Sequence, residues 1–155
     1  WRAEEHAILV GRNTITQDNP KLTTRKWAGI NPIRLIIDPK AKINADAAVL
    51  NKDADTIIFN TLKNEQSSNV HWELVDGTNI LHDLLESCTQ KGIQSILIEG
   101  GATTLSHFIE KKLWDECRIV TSQEVLKKGV EAPKMPSGFN IKNTVVRDTL
   151  QIIAK

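Results

Sequence analysis

Four short apolar runs set the frame of this chain. They are Ala7-Ile-Leu-Val10, Ile33-Arg-Leu-Ile-Ile37, Thr56-Ile-Ile-Phe59 and Ser95-Ile-Leu-Ile98. Each is too short for a helix and nearly free of polar alternation, the pattern of strands buried on both faces of a parallel sheet. Trp72-Glu-Leu-Val75 alternates and predicts an edge strand, and a weaker strand is expected near Ala47–Leu50. Helical spacing appears at Ile80–Gln90, where Ile80, Leu81, Leu84 and Leu85 form one face, Asn79 stands at the cap position and Gly92 at the stop. It appears again from Thr103 to about Lys112, through Leu105, Phe108, Ile109 and Leu113. Arg2–Glu5 reads as a helix end, and Arg12–Pro20 as a long polar loop with room for one helical turn. Gln66–Asn69 reads as a surface loop, and Glu124–Gly138 as irregular chain. Asp115–Thr121 predicts a further strand, and Lys142–Arg147 with Thr149–Ala154 a closing antiparallel pair around Asp148. Alternating strands and helices with such a tail predict an α/β protein, its sheet mostly parallel with an antiparallel C-terminal edge.

Composition narrows the function more than the fold. The 155 residues suit one domain. Lys/Arg and Asp/Glu, 20 and 19, are mixed along the whole length, so no basic stripe argues for nucleic-acid binding. No segment approaches the roughly 18 apolar residues of a membrane helix. The polar opening Trp1-Arg-Ala-Glu-Glu lacks a signal-peptide pattern. Cys88 and Cys117 form no C-x-x-C, which argues against a zinc site or redox pair and for a reducing, cytoplasmic setting. The chain opens in what reads as a helix's last turn, so residues upstream are expected.

Chemistry concentrates after the fourth apolar run. Glu99-Gly-Gly101 joins that strand to the helix beginning near Thr103. Such a turn presents backbone N–H groups and a helix N-terminus to an anion. A double glycine there also serves simply to make the turn, and it matches neither G-x-G-x-x-G nor a Walker A loop. Glu99, closing an apolar strand, must reach water or a partner; a role in a ligand cleft competes with a structural ion pair. On spacing alone Arg2 and Arg25 read as surface residues and Asp18 as a turn residue. His6, His71, His82 and His107 share no ligand spacing, and no metal site is expected. Trp27, Trp72 and Trp114 read as core or rim rather than as surfaces for stacking a substrate.

Three segments together carry a family resemblance. Trp1-Arg-Ala-x-x-His-Ala-Ile-Leu-Val-Gly-x-x-Thr-x-x-x-Asp-Asn-Pro-x-Leu-x-x-Arg25, Asn31-Pro-Ile-Arg-Leu-Ile-Ile-Asp38 and Ile96-Leu-Ile-Glu-Gly-Gly-x-x-Thr-Leu105, the last followed by Leu113-Trp-Asp-Glu-Cys117, occur in order along nearly the whole chain. This resembles the reductase domain of the bacterial riboflavin-biosynthesis deaminase/reductase. The resemblance implies a dihydrofolate-reductase-like three-layer fold with helices on both faces of the sheet. It implies NADPH-dependent reduction of the ribose of 5-amino-6-(5-phosphoribosylamino)uracil to the ribityl form. Arg2, Leu22, Arg25 and Glu99 would then contact substrate, with Glu99 the catalytic carboxylate. Thr14, Asp18, Gly101, Ala102, Thr103, Thr104, Leu105, Ser106 and His107 would contact the cofactor. Lys63, just past the third apolar run, is by position a candidate partner for a cofactor 2′-phosphate. The resemblance further implies a homodimer and a multifunctional parent protein with a zinc deaminase domain upstream. Residues 1–155 would be the reductase domain without the N-terminal strand that is central in the family's sheet. Another reductase of the same fold, or a non-catalytic nucleotide-binding domain, are the competing readings.

Overall fold

The computed structural model describes residues 1–145 and 147–155. The chain divides into two compact units, Trp1–Gly101 and Ala102–Lys155.

The first unit contains β1 (Ala7–Gly11), α1 (Arg12–Asp18), β2 (Ile33–Ile37), β3 (Thr56–Asn60), β4 (Glu65–Ser67), β5 (Val70–Leu74), α2 (Ile80–Gln90) and β6 (Ile96–Ile98). Its six-stranded sheet runs β4-β5-β3-β2-β1-β6. Every pairing is parallel except β4 with β5. The apolar runs take the central places, as expected. Ile8, Val10, Ile36 and Ile58 join Ile15, Leu22, Ala47 and Val49 in one apolar cluster, with Trp72 packed against it. The alternate positions Ala7, Leu9, Leu35, Ile57 and Phe59 are buried too, so these strands are covered on both faces.

Several elements differ from the sequence pattern, each for a local reason. Arg2–Glu5 is a lone turn, in which the Glu4 and Glu5 N–H groups donate to the Trp1 carbonyl. Arg12–Asp18 is a full helix, α1, rather than a loop. Its single apolar residue Ile15 is buried, and Asn19 ends it in the left-handed conformation at φ 40°. Ala48–Leu50 is one turn of 3-10 helix, not a strand. Residues 65–67 form β4 on the outer side of β5, taking in Gln66 and Ser67 of the expected surface loop, so β5 is not the edge. Asn79 precedes α2 without a side-chain cap bond. The buried face of α2 is Leu81, Leu84, Ser87 and Cys88, and Gly92 at φ 71° stops it as expected.

Cys88 is 2% exposed, and burial pushes its thiol up to about 11, with Glu73 adding to the shift and Lys91 opposing it. The folded state therefore holds this proton more tightly than the unfolded chain. Its contribution to stability is complete below about pH 9 and is lost as pH rises toward about 11. Urea titrations across that window should show the unfolding midpoint falling, with a shallower fall in Cys88→Ala. Equal slopes in both proteins would contradict this.

The second unit contains α3 (Ala102–Glu110), β7 (Glu116–Thr121), β8 (Phe139–Val145) and β9 (Asp148–Ala154). The expected antiparallel closing pair is present as β8 and β9. β7 joins the other side of β9, giving a three-stranded antiparallel sheet of its own, ordered β7-β9-β8. β8 starts three residues before the expected Lys142, and Val146, within the strand expected at 142–147, lies outside the described residues. Residues 124–138 are irregular chain, as their glycines and prolines imply. No helix among the described residues is long and apolar enough to cross a membrane.

Candidate active site

β6 ends at Ile98, but the Glu99 N–H continues the ladder with a 3.0 Å bond to the Leu9 carbonyl. That bond fixes the backbone from which the Glu99 side chain leaves the sheet. Arg2, 97 residues earlier, meets it with a two-pronged grip: Nε donates to Oε1 at 2.9 Å and Nη2 donates to Oε2. Arg2 Nη1 donates to the Thr23 carbonyl at 3.1 Å. All three guanidinium nitrogens are thus engaged, and the fork geometry holds the carboxylate plane in one orientation. The Arg2 pKa is raised, chiefly by the hydrogen bonding to Glu99; burial opposes the shift and the charge of Glu99 adds to it. The two side chains are 20% and 34% exposed. An ion pair this open to water contributes about 1 kcal/mol at most, so its consequence is geometric.

The segment from Asn19 to Asn31 supplies the other polar groups. Leu22 sits at φ 53°, a region costly for a branched L-residue, yet is only 2% exposed. Its side chain belongs to the apolar cluster around Val10 and Val49, which holds the backbone in place. Any contact between Leu22 and a ligand would therefore be made by its backbone. The next turn is closed at its base by Thr24 Oγ1 donating to the Ile30 carbonyl, 3.0 Å, and Thr24 N–H donating to Asn31 Oδ1, 3.0 Å. Arg25 and Trp27 project from it. With Trp1, Arg2, Ala3 and Thr24 they line a pocket of about 200 Å³. Arg25 is exposed and has no ion-pair partner among the described residues, so its guanidinium is available to an anion. Trp27, read as core or rim from sequence, is 79% exposed and so is not core.

The residues attributed to the cofactor fall into three settings. Thr14, on α1, accepts a hydrogen bond from Gly101 N–H through Oγ1 at 3.2 Å, which ties α1 to the glycine turn. Asp18 is exposed at the last position of α1. Ala102 to His107 form the first two turns of α3, in the second unit, with Thr103 and His107 exposed and Phe108 buried behind them. Within α3, Thr103, Thr104 and Ser106 are hydroxyls of the kind that hold phosphate oxygens, and a helix N-terminus offers backbone N–H groups to an anion. The residues present fit a dinucleotide's pyrophosphate in their donor chemistry. Lys63 is engaged elsewhere: it pairs with Glu65 at 2.8 Å and lies 4.0 Å above the Trp72 ring. Among the described residues no cluster of three or more His, Cys, Asp or Glu is placed to hold a metal ion.

Two buried charges went unseen in the sequence. Asp38, just past the end of β2, is fully buried; Oδ2 accepts from Ile43 N–H at 2.9 Å, and Oδ1 lies 3.6 Å from Arg12 Nε. Arg34, inside an apolar run, is also fully buried and anchors the 49–56 connection. The single charged residue in each otherwise apolar stretch was the signal available.

Residues 1–146 match the family model described as RibD C-terminal domain, and the chain belongs to that family. It is 34% identical over 154 residues to the 2,5-diamino-6-ribosylamino-4(3H)-pyrimidinone 5′-phosphate reductase of Aquifex aeolicus, covering 91% of this chain and 66% of that protein. It is 29% identical over 136 residues to riboflavin biosynthesis protein RibD of the same organism, covering 83% of this chain and 38% of the relative. The crystal structure of a Thermotoga maritima diaminohydroxyphosphoribosylaminopyrimidine deaminase/5-amino-6-(5-phosphoribosylamino)uracil reductase superposes with a TM-score of 0.86 at 26% identity, covering 99% of this chain and 46% of that one. The chain thus spans from under two thirds to well under half the length of these proteins. The mixed α/β architecture, with a mostly parallel sheet and a second antiparallel sheet, is the one these reductases share.

Proposed function

We propose that this chain carries the reductase activity of riboflavin biosynthesis, reducing the ribose of a phosphoribosylaminopyrimidine to the open ribityl chain at the expense of NADPH. The observation that carries the reading is the Glu99 carboxylate held by Arg2, which lines one pocket together with the exposed Arg25. Arg25 binds the ribose phosphate through a planar fork. Glu99, oriented by Arg2, accepts hydrogen bonds from hydroxyl or amine groups of the substrate and fixes the reacting carbon. Thr14, Asp18 and Gly101, with the α3 residues Ala102 to His107, hold the cofactor, which when bound supplies the hydride. Opening the ribose also needs a proton on the released ring oxygen.

The uracil form of the substrate is the first reading. The 2,5-diamino-pyrimidinone form is the second, favoured by the name of the 34% identical relative. A homodimer in the cytoplasm, with a zinc deaminase domain upstream of the reductase domain, completes the proposal; the length of the RibD relatives supports that fusion. The test is NADPH oxidation by the full-length protein with each substrate in turn, for the wild type and Arg25→Ala. Turnover with one substrate, and a drop of about 100-fold in kcat/KM for Arg25→Ala, is expected. Cofactor binding with no turnover of either substrate would leave a nucleotide-binding domain in place of a reductase.

A further inference from the structure

The pocket beside Arg25 has a component that the phosphate and ribose do not use. Trp27 leaves most of its indole in water, where a side chain of this size is uncommon unless it meets a partner. Its position is nevertheless fixed. Thr24 bonds Ile30 and Asn31 across the neck of the turn. Asn31 Nδ2 in turn donates to the Asp53 carbonyl at 2.9 Å. Gly29 lies so close to Ala3 that an added Cβ would stand 2.5 Å from the Ala3 Cβ, so the turn rests directly on the segment that carries Arg2. Lys26, immediately before Trp27, is held at φ 58°, a strained value for lysine. An exposed aromatic on an ordered, strained turn is a prepared contact rather than a loose side chain. Its pocket volume of about 200 Å³ is below the range of about 300–1,000 Å³ for whole drug-sized ligands, so it encloses only part of a ligand, and a group stacked on the outer face of Trp27 lies at its open edge.

From this we infer that Trp27 is a specificity-determining residue that stacks on the pyrimidine ring of the substrate while Arg25 holds its phosphate. The inference rests on the reductase reading and adds the base-recognition half of the site. Stacking on an indole needs only a planar π-face, so Trp27 selects an aromatic base without reading its exocyclic groups. The same contact would therefore serve both the uracil and the diamino-pyrimidinone substrate. It should act on binding more than on the chemical step, because a stacked base is engaged equally in the ground state and the transition state.

The experiment uses the full-length protein with Trp27→Ala and Trp27→Phe. Trp27→Ala should raise KM for the phosphoribosylaminopyrimidine about 10- to 100-fold, leave KM for NADPH unchanged and hold kcat within about 2-fold. Trp27→Phe should restore most of the loss. Calorimetric titration with uridine 5′-monophosphate and with ribose 5-phosphate separates the parts without needing turnover. Trp27→Ala should weaken the nucleotide and leave the sugar phosphate alone. Equal weakening of both ligands would mean the turn only positions Arg25, and unchanged binding of both would mean Trp27 meets no ligand; either result overturns the inference. A wild type that binds the nucleotide tightly through Trp27 yet reduces neither substrate would overturn the reductase reading and leave the stacking contact standing.

Discussion

Glu99→Gln is expected to lower reductase turnover by about 100-fold while leaving the fold unchanged. The argument begins with what the substitution removes. Gln keeps the length and one acceptor oxygen, but it carries no charge and replaces one acceptor with a donor. The two-pronged contact with Arg2 cannot then form, since Nε and Nη2 both need acceptors. Arg2 keeps its bond to the Thr23 carbonyl, so the guanidinium loses its orientation on one side only. Both side chains are partly in water, and such a pair is worth about 1 kcal/mol or less. The unfolding midpoint should therefore hardly move, and a large kinetic loss cannot be blamed on misfolding. Arg2→Lys provides the complementary measurement. It retains a cation near Glu99 but lacks the planar fork, and should cost turnover about 10-fold, chiefly in kcat if orientation is what Arg2 supplies. Wild-type kinetics in both variants would remove Glu99 and Arg2 from the site.

Sequence and structure agree where burial dominates. The runs at 7–10, 33–37, 56–59 and 95–98 became β1, β2, β3 and β6 because a continuous apolar stretch of that length has one stable use in an α/β sheet. The same logic fails where burial is absent. Residues 65–67 are exposed throughout, so β4 forms through its backbone alone, and nothing in Glu-Gln-Ser marks it. α1 is polar except for Ile15, and its form depends on the fit of that one side chain into the core. The site shows the same division. Glu99 at the end of an apolar strand was legible as a carboxylate in search of a partner. That the partner is Arg2 was not, because a contact across 97 residues has no local signature. Arg25 and Asp18 carried no physical signal of their own and stood out only through the family resemblance. For Trp27 the sequence left core and rim open; its exposure depends on a turn whose closure at Thr24 and Asn31 no pattern revealed.

Arg34→Met should destabilise the first unit by about 3–5 kcal/mol, a large part of the stability of a domain this size. Arg34 occupies a strand position that a leucine or methionine would fill well by volume, so hydrophobic burial alone predicts tolerance. The hydrogen bonds decide otherwise. Nη1 donates to the Val49 carbonyl at 2.7 Å and the Asn51 carbonyl at 3.2 Å, and Nη2 donates to Asn51 Oδ1 at 2.7 Å. Burial lowers the Arg34 pKa, and the negative charges of Asp53 and then Asp55 offset part of that effect. The guanidinium thus acts as a knot for backbone carbonyls that have turned inward, and removing it strands several acceptors at about 1–3 kcal/mol each before relaxation. The consequence reaches the site. Asn51 and Asp53 are in the loop Arg34 secures, Asn31 is bonded to the Asp53 carbonyl, and Thr24 N–H is bonded to Asn31. Arg25 and Trp27 hang from that end of the chain of bonds. Arg34→Met should therefore weaken substrate binding even at temperatures where the protein remains folded, whereas Arg34→Lys should recover part of the stability by keeping one or two of the bonds. Chemical denaturation of the three proteins, with substrate KM measured well below each midpoint, separates the two effects. A stable Arg34→Met protein with wild-type KM would show that the loop is held by its other contacts.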